Sequence, residues 1–179
     1  MRTVRFAAAG AAATLLVAAC AEFGFVRPAG ELEFELSGRI AVKYRDEAAS
    51  GSIAWRHGVD DDELLLSSPF GQGIARIVRL REVVTLTTSE GRDASAADAE
   101  ELTERLLGFR IPLAGLADWV RGRPGPGPAR TRTDAAGRLA ELEQSGWTIE
   151  YLEYEGRLPS RLKLTYPGLE LRLAIASWK

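Results

Sequence analysis

The chain has almost none of the residues that usually announce chemistry. One cysteine and one histidine occur in 179 residues, which excludes an internal disulfide, a Cys-based zinc site and the His-Glu-x-x-His pair of a zinc hydrolase. The histidine, His57, stands at the end of a strand-like segment and reads as a half-exposed residue near a turn. A serine triad would need it beside an activated serine and a carboxylate, and no Gly-x-Ser-x-Gly elbow is present. Neither charge is in large excess, the formal balance being -2. Nor are the arginines clustered as phosphate-backbone recognition requires, so nucleic acid is not an expected partner. They are scattered among acidic residues and read as a solvated sheet face. Also missing is an apolar run long enough to cross a bilayer, which takes about 20 residues; Phe6 to Ala19 is shorter and rich in alanine.

What is present begins with that short run. Arg2 and Arg5 precede it, and Val17-Ala18-Ala19 leads directly to Cys20. A basic start, an apolar core and small residues before a cysteine form the pattern of a bacterial lipoprotein signal, in which the sulfur receives diacylglycerol and cleavage exposes the new amino terminus. Residues 1–19 are therefore expected to be removed and Cys20 to carry lipid. The competing reading is an ordinary secretory signal with an incidental cysteine, which would leave a free thiol in an oxidising compartment. Ala21 follows where an aspartate would resemble an inner-membrane retention signal, so the expected address is the outer membrane. Residues 20–32, with Pro28 and two glycines, read as a lipidated tether. Residues 33–179 are long enough for one domain with a real core.

From Phe34 the apolar residues Phe34, Leu36, Ile40, Val42 and Tyr44 take even positions, with Glu33, Glu35, Arg39 and Lys43 between them. That is a half-buried strand. Ile53 and Trp55 repeat the alternation, Val59-Asp60-Asp61-Asp62 breaks it, and Leu64-Leu65-Leu66 resumes it. Strands are predicted again at Ile74 to Leu80 and Val83 to Thr88. The period then changes. Ser95 with Asp98 resembles a capping box before Ala99, Leu102 and Leu106, with Gly108 as the stop. A second helical stripe follows Pro112, a first-turn residue, through Leu113, Leu116, Ala117 and Val120, flanked by Trp119. Arg123-Pro124-Gly125-Pro126-Gly127-Pro128 is a loop. Beyond it Arg138 to Gln144 is ambiguous, whereas Trp147, Ile149 and Tyr151 alternate clearly. Leu162, Leu164 and Tyr166 lead through Pro167-Gly168 to Leu169, Leu171, Leu173 and Ile175, the clearest hairpin. The expected class is mainly β with a helical insertion (α+β): about eleven short strands in a strongly curved sheet or partial barrel.

Few polar residues converge. Gly71-x-Gly73 begins like a dinucleotide fingerprint, but Arg76 replaces the third glycine and a strand follows instead of a helix. Asp60-Asp61-Asp62-Glu63 lacks the alternating ligands of a calcium loop and reads as a solvated turn. Neither a metal nor a cofactor is expected. The apolar residues allow two arrangements: helices that plug the concave sheet as a core, or a sheet and helices that enclose an apolar cavity. Phe70, between Pro69 and Gly71, either projects toward a membrane or partner or folds back to be buried.

Together these segments resemble the LolB family of outer-membrane lipoprotein receptors. The resemblance runs from Phe34 to Lys179 and rests on Phe34-Glu35-Leu36-Ser37-Gly38-Arg39-Ile40-Ala41-Val42, Gly51-Ser52-Ile53-Ala54-Trp55, Leu66-Ser67-Ser68-Pro69-Phe70-Gly71 and Gly146-Trp147-Thr148-Ile149-Glu150-Tyr151. Leu158-Pro159-Ser160-Arg161-Leu162-Lys163-Leu164, continuing to Trp178, completes it. It implies an incomplete antiparallel barrel with a helical lid over a hydrophobic cavity for acyl chains. It also implies a noncatalytic function: accepting lipoproteins from a periplasmic carrier of the LolA kind and inserting them into the outer membrane. The implied partners are that carrier, acylated lipoprotein cargo and outer-membrane phospholipid, with the chain acting as a monomer. The resemblance places a membrane-delivery loop at Pro69, Phe70 and Gly71, with phenylalanine where relatives often have leucine. The expected cavity lining is Phe34, Leu36, Ile40, Trp55, Leu64, Leu66, Ile149, Leu171 and Leu173 from the sheet and Leu102, Leu106, Leu116 and Trp119 from the helices. A scaffolding outer-membrane lipoprotein with a filled core is the alternative; a lipid hydrolase is disfavoured by the residue inventory.

Overall fold

The computed structural model describes residues 31–179 apart from 98, 108 and 109. Among these, strands β1 (Leu32–Tyr44), β2 (Glu47–Gly58), β3 (Asp61–Ser67), β4 (Gly73–Leu80), β5 (Val83–Thr88) and β6 (Asp93–Ala96) come first. Helices α1 (Ala99–Leu107) and α2 (Leu113–Val120) follow, then β7 (Ala129–Thr133), β8 (Leu139–Gln144), β9 (Trp147–Glu155), β10 (Leu158–Tyr166) and β11 (Leu169–Trp178). All eleven strands form one sheet, in the order β6-β5-β4-β3-β2-β1-β11-β10-β9-β8-β7. Two antiparallel meanders therefore meet where β1 pairs with β11. Gly38 serves that seam: the register shifts between Ser37 and Gly38, and a Cβ at Gly38 would collide with the Ala174 carbonyl.

Period-two alternation brings apolar residues into register on one face. Leu36, Trp55, Leu64, Ile77 and Leu86 form one row across β1 to β5. Val42, Leu171, Leu164, Ile149 and Leu142 form another across β1, β11, β10, β9 and β8. Both helices cover this face. On α1, Leu102 is buried, and the Thr103 hydroxyl donates to the Ala99 carbonyl and accepts from the Ile111 amide, both at 2.9 Å. On α2, Leu113, Ala117, Trp119 and Val120 are buried. Trp119 Nε1 donates to Gln144 Oε1 at 2.8 Å, and the same side chain holds the Pro-Gly loop through the Gly125 amide and carbonyl. The Tyr151 hydroxyl donates to the Trp119 carbonyl at 2.9 Å, in surroundings whose burial pushes its pKa up.

Several local expectations are corrected. Ser95 is no helix cap: it lies in β6 and its hydroxyl bonds that of Thr85 at 2.9 Å, while Asp98 is outside the described residues. Pro112 is the N-cap of α2 instead of a first-turn residue. Arg138 to Gln144 resolves as β8, in which Leu139 and Leu142 are both buried although three apart; a register shift between Arg132 and Thr133 on β7 accompanies that spacing. The edge strands β6 and β7 carried no apolar alternation to reveal them, and β7 is exposed along its length.

The largest correction concerns Asp60-Asp61-Asp62-Glu63. Asp61, Asp62 and Glu63 open β3 and are buried. Asp62 faces the concave side, where its carboxylate accepts hydrogen bonds from Trp55 Nε1 at 2.9 Å and Arg79 Nε at 2.5 Å and meets His57 Nδ1 at 2.5 Å. Glu63 faces the other way and pairs with Arg76 at 2.6 Å. His57 is more buried than expected, its side chain 12% exposed. Its Nε2 lies 3.7 Å from Glu33, which accepts from Arg121 Nη1 at 2.6 Å. Arg121 lies over the Phe34 ring and donates through Nε to the Ala117 carbonyl of α2. Its hydrogen bond holds the Glu33 carboxyl below the usual carboxylate range. This network joins β4, β3, β2 and β1 to the end of α2.

Removing one partner of a buried ion pair leaves the other charge unpaired, at a cost of about 3–5 kcal/mol. Asp62→Leu, which strands Arg79, His57 and the Trp55 donor together, is expected to destabilise the fold by that amount in urea melts followed by tryptophan fluorescence. A loss below about 1 kcal/mol would assign the cluster no structural role.

Candidate functional site

The concave face is one apolar core. Phe34, Leu36, Trp55, Leu64, Ile149, Leu171 and Leu173 from the sheet and Leu102 and Trp119 from the helices are buried in it. Ile40, Leu66 and Leu116 are partly buried against it. Leu106 lies on α1, its side chain outside the described set. The same surface includes residues beyond the expected lining: Ile77, Leu86, Leu142, Leu162 and Leu164, all at most 2% exposed. The signal that could have found them is register, since Leu162 and Leu164 stand opposite Leu173 and Leu171.

Chemically, the apolar part of this surface, away from the Asp62 network, is suited to hydrocarbon. Burial is worth about 25 cal/mol per Å² of apolar area and does not distinguish a packed leucine from an acyl chain. In the arrangement described, the helices occupy the concavity themselves, with Leu102, Trp119 and Val120 at most 1% exposed. Where the inner face runs past the helices toward Ile40, Val42 and Tyr44, its side chains are only partly covered.

The second feature is the turn between β3 and β4. Ser68 N donates to the Gln72 carbonyl at 2.7 Å and Gly71 N to the Ser68 carbonyl at 2.9 Å. Gly71 adopts a positive φ of 85° suited to glycine. This tight closure leaves Phe70 no core to join, and it is 93% exposed; the alternative of a folded-back ring is overturned. At the base, Gly51 admits the crossing of the chain, because a Cβ there would collide with the Ser67 carbonyl.

Other candidates form no site of their own. His57 Nε2 is directed toward Glu33, within the network that secures α2. Among the described residues, no group of three or more His, Cys, Asp or Glu side chains is placed to hold a metal, and no helix is long and apolar enough to cross a membrane. Cys20 lies outside the described residues.

Comparison with known proteins accords with this geometry. A LolA superfamily protein from Nitrosomonas europaea has a similar fold, with a TM-score of 0.52 at 10% identity, covering 86% of this chain and 87% of that one. An outer-membrane lipoprotein LolB from Thiobacillus denitrificans is 43% identical over 146 residues, spanning 80% of this chain and 78% of its own. Another from Azoarcus sp. is 37% identical over 151 residues, spanning 82% and 78%. A third from Chromobacterium violaceum is 33% identical over 174 residues, spanning 92% and 94%. The model of the family described as outer membrane lipoprotein LolB matches residues 32–178, and the chain belongs to that family.

Proposed function

We propose that this chain is the receiving member of a lipoprotein relay at the outer membrane. It takes acylated cargo from a periplasmic carrier of the LolA kind, holds the acyl chains between its helices and sheet, and releases them into outer-membrane phospholipid. The observation that carries this reading is a curved sheet whose concave face is apolar except for the network around Asp62 and is covered, among the described residues, by two short helices of nine and eight residues. In the arrangement described, that space is closed. Acyl chains enter as α1 and α2 part from the sheet, substituting hydrocarbon for helix side chains against rows such as Leu164 and Leu171.

The energetics require such a device. Each buried CH₂ is worth about 0.8 kcal/mol, so a lipoprotein with three acyl chains faces tens of kcal/mol on entering water. A receiver must bind the chains more tightly than the carrier and less tightly than the bilayer, so transfer runs down a gradient of affinity. Cys20 supplies the lipid anchor that holds the domain at the periplasmic face, and the residues between it and β1, which begins at Leu32, supply the reach. The chain works as a monomer and without covalent catalysis. At the tip, Phe70 is an aromatic wedge that enters the lipid interface during release.

Purified chain mixed with lipoprotein-loaded carrier is expected to take over cargo in a pull-down, with Cys20→Ala accepting cargo normally yet failing to remain at the outer membrane in cells. Absence of transfer at every ratio would leave the scaffold with a permanently filled core as the better account. For the tip, Phe70→Glu is expected to accept cargo at the native rate but to release it into liposomes at least tenfold more slowly, because a carboxylate resists entry into hydrocarbon. Native release kinetics in this variant would remove Phe70 from the mechanism.

A further inference from the structure

Beside the Phe70 tip, the outer face of the sheet has a groove of about 500 Å³ whose lining includes Arg39, Arg161, Arg172, Ala174, Ser50 and Pro69, and no acidic side chain. Register explains its shape. Arg39 on β1 and Arg161 on β10 both stand opposite Ala174 of β11, so two long cationic side chains flank a methyl group at a separation of about 10 Å, two strand spacings. Arg172 lies two residues along β11 on the same face. Pro69 forms the rim, and the next residue is the fully projecting Phe70.

Arg39 departs from the pairing pattern of the rest of the outer face. Elsewhere, cross-strand pairs such as Arg56 with Glu35 at 2.8 Å and Arg76 with the buried Glu63 at 2.6 Å neutralise one another. Arg39 donates instead to the Ser52 hydroxyl at 3.2 Å, and among the described residues it has no carboxylate at ion-pair distance. Arg161 and Arg172 do meet Glu153 and Glu170, but at 54% and 65% side-chain exposure, where ion pairs are weak and readily exchanged. Guanidinium forks match phosphate oxygens. A basic hollow alongside an exposed aromatic is also the combination by which proteins engage an anionic lipid interface.

We infer that Arg39, Arg161 and Arg172 form a headgroup site for anionic phospholipid that seats the Phe70 tip on the membrane receiving the cargo. This rests on the proposed role of Phe70 at the membrane and adds what recognises the lipid there. The guanidiniums hold the headgroup phosphate while the ring enters the interface, so the tip engages anionic bilayers in preference to neutral ones. A lipid phosphate, and not a free anion, is the ligand, because the groove gains from Phe70 only at a surface.

The test uses the full lipidated chain in liposomes, with release of cargo from the carrier as readout. Each cation near an anionic membrane surface is worth about fivefold in affinity. Arg39→Gln/Arg161→Gln is therefore expected to slow release at least fivefold in vesicles of phosphatidylcholine with phosphatidylglycerol. In pure phosphatidylcholine it should behave as the native chain does, and cargo acceptance should be native throughout. Arg39→Lys/Arg161→Lys should recover most of the difference, which a folding defect would not allow. Native release by the glutamine variant in anionic vesicles would overturn the inference. So would equal slowing in both vesicle types, or tight binding of inorganic phosphate with no dependence on vesicle charge. If Phe70→Glu impairs release while the glutamine variant does not, the headgroup site alone fails; if neither impairs it, the membrane role of the loop fails as well.

Discussion

An antiparallel sheet with one continuous apolar face must cover that face, and here the only covering helices among the described residues are α1 and α2. Everything else follows from this constraint. Rows such as Leu142, Ile149, Leu164 and Leu171 are in register, so the strands cannot slip by one residue without turning the whole set toward water. The bulge at Gly38 joins the two meanders. The helices then close the concavity with Leu102, Trp119 and Val120. Because burial is nondirectional, a closure made of side chains can exchange for one made of acyl chains.

Polar contacts give that closure its position. Trp119 is held by Gln144, its carbonyl by Tyr151, and the end of α2 by Arg121 on Glu33. Behind Glu33, His57 and Asp62 extend the network to Arg79. The buried Asp62 carboxylate, met by Trp55, Arg79 and His57, adds polar contacts to the register of β2, β3 and β4 that the apolar rows already favour. The outer face has a different composition: charge pairs facing water, then the arginine groove beside the tip. Buried apolar surface is thus gathered on the concave side, and Phe70 is the most exposed large apolar side chain among the described residues.

Much of this was legible in the sequence, for identifiable reasons. Alternation at Leu169, Leu171, Leu173 and Ile175 marks β11 because one face is buried and the other wet. Pro69-Phe70-Gly71 marks a turn carrying an aromatic, while the choice between a projecting and a folded-back ring came from the folded turn, in which Phe70 is exposed. What sequence reading missed depends on distant partners. Three consecutive aspartates signal solvent unless Arg79 and His57 are known to face Asp62, and those residues lie 17 and 5 positions away. Ser95 matches a cap locally but pairs with Thr85 across a strand edge. Edge strand β7 alternates no apolar residues, so nothing in its composition distinguishes it from a loop. Expected lining residues stopped short of Leu162 and Leu164, because cross-strand register belongs to the folded sheet.

The central claim is that acyl chains of cargo occupy the space between the helices and the concave face. A photoreactive residue placed at Leu171, which faces inward, can be compared with one at Arg172, its outward neighbour, after incubation with carrier bearing lipoprotein of labelled acyl chains. The account predicts crosslinking of acyl label at position 171 and little at 172. Equal labelling at both positions, or labelling at 172 alone, would contradict it.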